Sequence, residues 1–251
     1  MKLLTISLLA VLLSGIGAYA QTDTDTVKIN LGTADKFALL GGSGITNVSA
    51  HTFMIGDVGS APTPTVKGIK PSQVKGQLFL KSSSVTAAAQ RSLTTAYNKA
   101  AGASCGTVLT GVNLGGKKLI PGVYCFATAA QLTGTLKLDA QGNPNAQWIF
   151  QIGTTLTTAP NSKVVVNLGG KGARGCNVYW QVGSSATVGK GSIFVGKMMA
   201  LTSVTLNGGV LRGKALARNG AISISAQETV DGPSCGTAGA VESDDMASSE
   251  N

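Results

Sequence analysis

The chain has 251 residues, of which 12% are charged and 34 are glycine, and its formal net charge is +9. Globular domains usually carry roughly twice that share of charged residues, and here the Lys and Arg residues are scattered singly, without the clusters and interleaved aromatic residues of a nucleic-acid interface. We therefore expect no nucleic-acid partner, a solvated basic surface, and strands that meet at tight corners.

Both ends of the chain differ from its body. Lys2, the apolar run Leu3–Leu13 and the small residues around Ala20 form the pattern of a secretory signal peptide over residues 1–20. The run is too short to span a membrane, so we expect a secreted, extracellular protein with no membrane partner. Residues 236–251 are small, polar and acidic, and we expect a disordered tail there.

The body, residues 21–235, contains four cysteines and no linker, which predicts one domain with two disulfide bonds. Three connectivities are possible. We favour Cys105–Cys125 with Cys176–Cys235, because each bond would tie a segment outside the strands to the body. No CxxC pair is present, so we predict no metal site and no cofactor. Asn47 begins an Asn-Val-Ser sequon and is a candidate for glycosylation.

Residues 85–101 are the one segment with helical periodicity. Its larger or apolar residues recur three or four positions apart. Ser82–Ser84 offer side-chain oxygens for an N-cap, and Gly102 can end the helix. The segment is predicted to be an α-helix with one face that packs on an apolar surface.

Most of the remaining sequence consists of short strands that repeat in threes. In each unit a first strand is followed by a corner of Gly, Asn or Ser, a second strand and a third strand. The third strands are expected at residues 163–167, 193–197 and 211–214. Three strands per turn predict an all-β fold, a β-solenoid of triangular cross-section.

The second strand of each unit alternates one apolar residue with small polar residues, so the two kinds face opposite sides. The residues expected to face inward are Ile45, Leu132, Leu156, Ala186, Val204 and Ile222. Their neighbours would form an uncharged ladder on the outer surface: Gly44, Thr46, Gln131, Thr133, Thr155, Thr157, Ser185, Thr187, Ser203, Thr205, Ala221 and Ser223.

The other two faces of the solenoid differ from this ladder. On the first face the inward residues would be Phe150, Trp180, Ala200 and Ala217, and the outward residues Ile149, Tyr179, Met199 and Leu216. A strand that is apolar on both sides is covered on both sides, so we expect the helix to lie there. On the third face Lys137, Lys163, Arg212 and Lys214 would point outward, as on an ordinary solvated surface.

The sequence offers little for catalysis. His51 is the only histidine, and no nucleophile motif surrounds it. The carboxylates of the body are few and dispersed, whereas solenoid enzymes that cleave polysaccharides need clustered acids or a calcium site. The glycine-rich segments match no phosphate-binding motif and are better explained as corners. We predict that the protein is not an enzyme.

Seven segments, taken in order, resemble those of one protein family. They are residues 31–47, 56–59, 121–126, 132–140, 148–158, 176–187 and 215–222, among them Pro-Gly-Val-Tyr-Cys-Phe and Leu-Thr-Gly-Thr-Leu-Lys-Leu-Asp-Ala. The family is that of the secreted microbial ice-binding (antifreeze) proteins of fungi, diatoms and polar bacteria. The resemblance implies a right-handed β-solenoid with one long helix alongside, and ice binding by one flat face.

The family has no fixed ice-binding motif, so the Thr and Ser ladder is our prediction of the face. Its partner would be the surface of an ice crystal, bound by a monomer. Gln131 and Gly44 interrupt the ladder, and extra residues near 167–175 are expected to loop out at a corner. These departures predict a moderate rather than a hyperactive antifreeze. The alternatives are an extracellular adhesin and a carbohydrate-binding solenoid.

Overall fold

The computed structural model describes residues 27–167 and 177–232. The predicted signal peptide, the acidic tail and the Cys176–Cys235 bond lie outside these residues, as does most of the segment 167–175.

The described residues form one α-helix, two 3-10 helices and a series of short strands. The 3-10 helices are Gly32–Lys36 and Pro71–Gln73, and the α-helix is α1 (Ser84–Ala101). The strands are β1 (Phe37–Gly41), β2 (Gly44–Asn47), β3 (Phe53–Ile55), β4 (Asp57–Ser60), β5 (Val66–Lys67), β6 (Val74–Lys75), β7 (Thr107–Val108), β8 (Lys118–Leu119), β9 (Gly122–Phe126), β10 (Ala130–Leu132), β11 (Thr135–Asp139), β12 (Trp148–Ile152), β13 (Leu156–Thr158), β14 (Lys163–Asn167), β15 (Val178–Val182), β16 (Ala186–Val188), β17 (Ser192–Ala200), β18 (Val204–Leu206), β19 (Gly209–Ala217), β20 (Ala221–Ile224) and β21 (Glu228–Asp231).

The strands stack in parallel as coils with three faces, which confirms the predicted all-β solenoid with one long helix. The first face contains β7, β9, β12, β15, the ends of β17 and β19, β1 and β4. The second face contains β10, β13, β16, β18, β20, β2 and β5. The third face contains β8, β11, β14, the beginnings of β17 and β19, β21, β3 and β6.

The order of the coils differs from the order of the chain. Strand β2 pairs with β20, and β3 pairs with β21, so the coil nearest the amino terminus stacks on the last one. The coil that contains β7 and β8 lies at the far end of the stack, beyond the coil that contains β9–β11. The solenoid is therefore discontinuous in sequence, and α1 belongs to the long connection between its two parts.

Apolar side chains fill the interior of the coils. The rings of Phe150 and Trp180 stack with their centroids 3.9 Å apart, and Tyr124 continues the stack 5.5 Å from Phe150. All the predicted inward residues of both faces are buried in this core: Ile45, Leu132, Leu156, Ala186, Val204, Ile222, Phe150, Trp180, Ala200 and Ala217. The alternation in the sequence thus identified the inward side of these strands correctly.

The helix begins and ends close to the predicted positions. The Ser83 hydroxyl accepts a hydrogen bond from the Val85 N–H at 3.1 Å, and Gly102 follows the last turn. The buried side of α1 contains Ala89, Leu93, Ala96, Tyr97 and Ala100. It packs on the outward residues of the first face, Ile149, Tyr179, Met199 and Leu216, as predicted.

One prediction for the third face is wrong. Lys214 is only 1% exposed, because β19 continues through a corner and carries this residue onto the first face. The turn lies at Gly213, where an added Cβ would come within 1.9 Å of the Gly196 carbonyl oxygen of the neighbouring strand. Lys214 donates to the carbonyl oxygen of Asp35, and burial lowers the pKa of its ammonium to about 8.

The Cys105–Cys125 bond is present, with the two Cα atoms 5.9 Å apart. It ties the segment after α1 to β9, as predicted. Gln151 reinforces this junction, because its Nε2 donates to the carbonyl oxygens of Ala100 and Ala103 at 2.8 and 2.6 Å. The end of the helix is therefore fixed to the first face by both a covalent bond and hydrogen bonds.

The corner between the second and third faces contains buried polar side chains. Ser162 donates to the Leu132 carbonyl oxygen at 2.9 Å, and Thr52 donates to Asn47 Oδ1 at 3.1 Å. Glu228 is only 1% exposed, and neither carboxylate oxygen has a hydrogen-bond partner among the described residues. Burial raises the pKa of Glu228 to about 7, and the nearby Gly208 N–H offsets only part of this effect.

Candidate functional site

The second face carries most of the predicted ladder in two columns that cross neighbouring strands. In the first column the residues pair directly, from Thr157 to Thr187, Thr205, Ser223 and Thr46. The second column lies two residues earlier in each strand and consists of Thr155, Ser185, Ser203, Ala221 and Gly44. Both columns face away from the core.

The geometry of the two columns is regular because parallel β-pairing fixes it. Neighbouring strands are about 4.7–4.9 Å apart, and residues two apart along a strand are separated by roughly 6.5 Å. Between the columns lie Leu156, Ala186, Val204, Ile222 and Ile45, which are fully buried and hold each strand against the core. The face is therefore a flat grid of short side chains on a rigid support.

The predicted alignment is wrong at one end of the ladder. Gln131 pairs with Thr157 and so belongs to the first column, and Ala130 occupies the position level with Leu156. Thr133 lies beyond the end of β10 and enters neither column. A slip of two residues keeps every side chain on the same side of the strand, so the alternation in the sequence could not exclude it.

The structure adds residues at both ends of the first column. Asn113 forms a parallel bridge with Gln131, and its Nδ2 donates to the Thr133 hydroxyl at 3.2 Å. At the other end Lys67 pairs with Thr46. Asn113 lies in an isolated bridge and β5 has only two residues, so neither segment is long enough to show alternation in the sequence.

A further row of hydroxyl side chains borders the second face, at its corner with the first. Thr128, Thr154, Ser184 and Thr202 each follow a first-face strand, and backbone hydrogen bonds of 2.7–3.3 Å join one residue to the next. The corner is tight because Gly153 and Gly183 stack there. A Cβ on Gly183 would lie 2.2 Å from the Gly153 carbonyl oxygen.

The candidate glycosylation site is not open to solvent. Asn47 is 4% exposed, and its Nδ2 donates to the carbonyl oxygens of Ser49 and Gly68 at 2.7 and 2.9 Å. A glycan on this nitrogen would displace at least one of these hydrogen bonds. The folded geometry therefore argues against the modification that the sequon suggests.

Charge is nearly absent from the second face. Within its two columns, over the described residues, Lys67 is the one charged side chain, and it lies at the end. His51 is exposed in the connection between β2 and β3. No three His, Cys, Asp or Glu side chains of residues 27–167 and 177–232 gather as a metal site would require. Within those residues no helix is long and apolar enough to cross a bilayer.

Fold and face together define a class of protein: a parallel β-solenoid with one covering helix and one flat, uncharged face of hydroxyl and other small side chains. Residues 39–230 match the family model described as ice-binding-like. The chain belongs to this family.

Named relatives and solved structures agree with this assignment. An ice-binding protein of Nostoc sp. strain HG1 is 46% identical over 207 residues, which cover 81% of this chain and 75% of the relative. An ice-binding protein of Leucosporidium sp. strain AY30 is 31% identical over 85% of this chain and 87% of the relative. The crystal structure of an ice-binding protein from an Antarctic biological consortium has 37% identity and a TM-score of 0.71, covering 80% of this chain and 89% of that one. A solved ice-binding protein from an Arctic yeast has 30% identity and a TM-score of 0.75, covering 86% of this chain and 99% of that one.

Proposed function

We propose that this chain binds ice crystals through its second face, and thereby causes thermal hysteresis and inhibits ice recrystallisation. The observation that carries the proposal is the direct pairing of Thr157, Thr187 and Thr205 in adjacent strands, which makes a regular and uncharged grid. Membership of the ice-binding-like family supports the same function.

The chemistry of the grid suits a solid form of water. Threonine is stiff at χ1, so its methyl and hydroxyl groups keep fixed positions at little cost in entropy. The hydroxyls can hydrogen-bond an ordered water layer, and the methyls disfavour the arrangement of bulk water. Long charged side chains would be mobile and strongly hydrated, and the two columns exclude them except at Lys67. Many weak contacts over a rigid surface then add up to lasting adsorption.

The grid also has gaps, which support moderate rather than hyperactive antifreeze activity. Ala221 and Gly44 supply no hydroxyl to the second column. Gln131 and Lys67 place long side chains near the two ends of the first column. The regular part of the surface is therefore centred on the strands that contain Thr157, Thr187 and Thr205.

We also propose that the protein is secreted and acts as a monomer without catalysing a reaction. The leader-like residues 1–20 support secretion. The exposed edges of the solenoid support the monomeric state, since β5, β6, β7 and β8 are two residues long and three of them bear lysine. Short, charged edge strands resist pairing with a second chain. Family membership favours a binding role over an enzymatic one.

The alternatives, an adhesin or a carbohydrate-binding solenoid, find less support on this face. Neutral sugar rings are commonly bound by stacking on aromatic side chains, and neither column of the second face contains one. The columns also lack the charged side chains that would attract an anionic sugar, except for Lys67 at one end.

Thermal hysteresis of a double variant tests the proposal. Thr157→Tyr/Thr205→Tyr places two bulky rings in the middle of the first column, where they would hold an ice surface away from the grid. We expect at least a tenfold loss of thermal hysteresis, measured with a nanolitre osmometer, and loss of ice-crystal shaping.

The matched control changes two threonines that face outward on the third face, Thr135→Tyr/Thr229→Tyr, and should keep wild-type activity. Circular dichroism checks that both variants stay folded. If the control loses activity and Thr157→Tyr/Thr205→Tyr does not, the third face is the ice-binding surface. If the wild type shows no hysteresis, the proposed function is wrong.

A further inference from the structure

Basic residues that are scattered in the sequence come together on the third face. Lys118, Lys137, Lys163 and Arg212 face outward there and are exposed, and the exposed Lys190 lies at the edge toward the second face. These five residues, called the basic strip below, come from five successive coils. Because coils stack, lysines far apart in the chain become neighbours along the solenoid axis.

The arrangement within the basic strip places like charges side by side. Lys118 and Lys137 are directly opposite each other in the paired strands β8 and β11. Lys163 pairs with Thr135, so it lies diagonally beside Lys137 on the next strand. Like charges in such positions destabilise a sheet. Lys118 has a carboxylate partner in Asp139, whereas Lys137 and Lys163 have no ion-pair partner among the described residues and can meet an anion from outside.

Few carboxylates offset these charges. Among the described residues of the third face, Asp139 and Asp231 are the outward-facing acids, and Asp231 lies directly opposite Arg212 in the neighbouring strand. Asp139 Oδ2 lies 2.6 Å from Lys118 Nζ, and the hydrogen bond from Lys118 lowers the pKa of Asp139. No ion pair within residues 27–167 and 177–232 includes Lys137, Lys163 or Arg212.

We propose that the basic strip binds a linear anionic polysaccharide, one that carries carboxylate groups along its chain. The strip runs along the solenoid axis with coils about 4.7–4.9 Å apart, so an extended polyanion can lie over it and meet one cation after another. The surrounding sheet is flat and offers no element that could enter a nucleic-acid groove. The exposed aromatic side chain Phe53 lies two strands beyond Arg212 and not among the cations, where bases could stack on it. These features favour a polysaccharide over a nucleic acid.

The second and third faces are separate sides of the prism, so both can be occupied at once. A polysaccharide on the basic strip leaves Thr157, Thr187 and Thr205 free. The consequence is a protein that an anionic matrix retains while its second face remains available. The inference does not depend on what the second face binds.

Affinity for alginate, a polyuronate, tests the proposal. The mature chain is compared with Lys137→Gln/Lys163→Gln/Arg212→Gln and with a matched control of equal charge loss, Lys28→Gln/Lys81→Gln/Arg91→Gln, on the side covered by the helix. All six residues are exposed, so neither variant should unfold. We expect the strip variant to bind alginate about tenfold more weakly at low salt, with a shallower salt dependence, and the control to bind within about twofold of wild type.

Three results would overturn the proposal. Equal weakening in both variants would mean that net charge alone attracts the polymer. Absence of wild-type binding to alginate, or equal binding to neutral dextran, would remove the polyanion as partner. Tighter binding to duplex DNA or to phosphatidylglycerol vesicles than to alginate would make the partner a nucleic acid or a membrane. Thermal hysteresis should stay at the wild-type level in both variants.

Discussion

Glu228 is a buried carboxylate at the corner between the second and third faces. Neither of its oxygens has a hydrogen-bond partner among the described residues. It lies on β21, level with Gly209 of the neighbouring strand, and burial raises its pKa to about 7. The other polar side chains described at this corner, such as Ser162 and Thr52, are hydrogen-bonded. A buried charge without a partner costs stability, so the protonated form of Glu228 is the one that fits the fold.

The free energy of unfolding should therefore fall as the pH rises from about 4.5 to about 7. In this interval the folded chain keeps the Glu228 proton and the unfolded chain has released it, so raising the pH favours unfolding. The effect is on the order of 1–3 kcal/mol in the free energy of unfolding. Urea denaturation of the wild type and of Glu228→Gln at several pH values measures it. The difference between the two proteins should change with pH over this interval, and a constant difference would contradict the raised pKa.

Lys214 and Asn47 show which properties of a single residue could not be predicted from the sequence. The alternation in β19 predicts that Lys214 points away from the core. The corner at Gly213 decides that it does so on the first face of the solenoid and not on the third. Likewise the sequon at Asn47 is visible in the sequence, whereas the two carbonyl oxygens that occupy its Nδ2 are brought there by folding. Local pattern predicts which side a residue faces; tertiary contacts decide what it meets.

At the scale of the elements, glycine corners set the spacing of the coils. Gly153 and Gly183 stack directly between the first and second faces, and an added Cβ on either would come within 2.3 Å of a carbonyl oxygen of the neighbouring coil. Because backbone lies on both sides of the contact, no flexible side chain can move away to make room. The corner therefore holds successive strands of the second face at the separation that the two columns require.

Gly183→Ala should lower the free energy of unfolding by about 1–3 kcal/mol, because its methyl group would force two coils apart. Gly122→Ala is the matched control in the same solenoid, since a Cβ there meets nothing closer than 3.9 Å. Chemical denaturation of both variants gives the comparison. Equal stability of Gly183→Ala and Gly122→Ala would mean that the corner does not restrict the spacing.

The pairing register of the strands is a further feature that could not be predicted from the sequence. The two-residue slip at Gln131 arose because both Ala130 and Leu132 are apolar and either can lie level with Leu156. The same ambiguity affects the first face, where Tyr179 pairs with Lys197 and Gln181 pairs with Met199. The sequence could predict which residues face outward, but the pairing partners depend on how coils of different length stack.

For the molecule as a whole, short-range patterns in the sequence predict most of the fold. The helix, the three-strand repeat and the inward residues all follow from periodicity within one coil, and the structure confirms them. The order of the coils is different, because β1–β6 stack on the carboxyl-terminal coil through contacts that no local pattern encodes. The sequence predicted that Lys137, Lys163 and Arg212 face outward on the third face, but only the stacking of the coils shows that they lie together with Lys118 and Lys190.

Direct adsorption to ice tests whether the second face is the surface that binds ice. Fluorescently labelled wild type, Thr187→Tyr and Thr229→Tyr are each frozen into a growing single-crystal ice hemisphere, and the fluorescence on its surface is measured. Thr187 lies in the middle of the first column and Thr229 on the third face. We predict that wild type and Thr229→Tyr adsorb equally and that Thr187→Tyr adsorbs much less. Equal adsorption of Thr187→Tyr and wild type would mean that the second face is not the ice-binding surface.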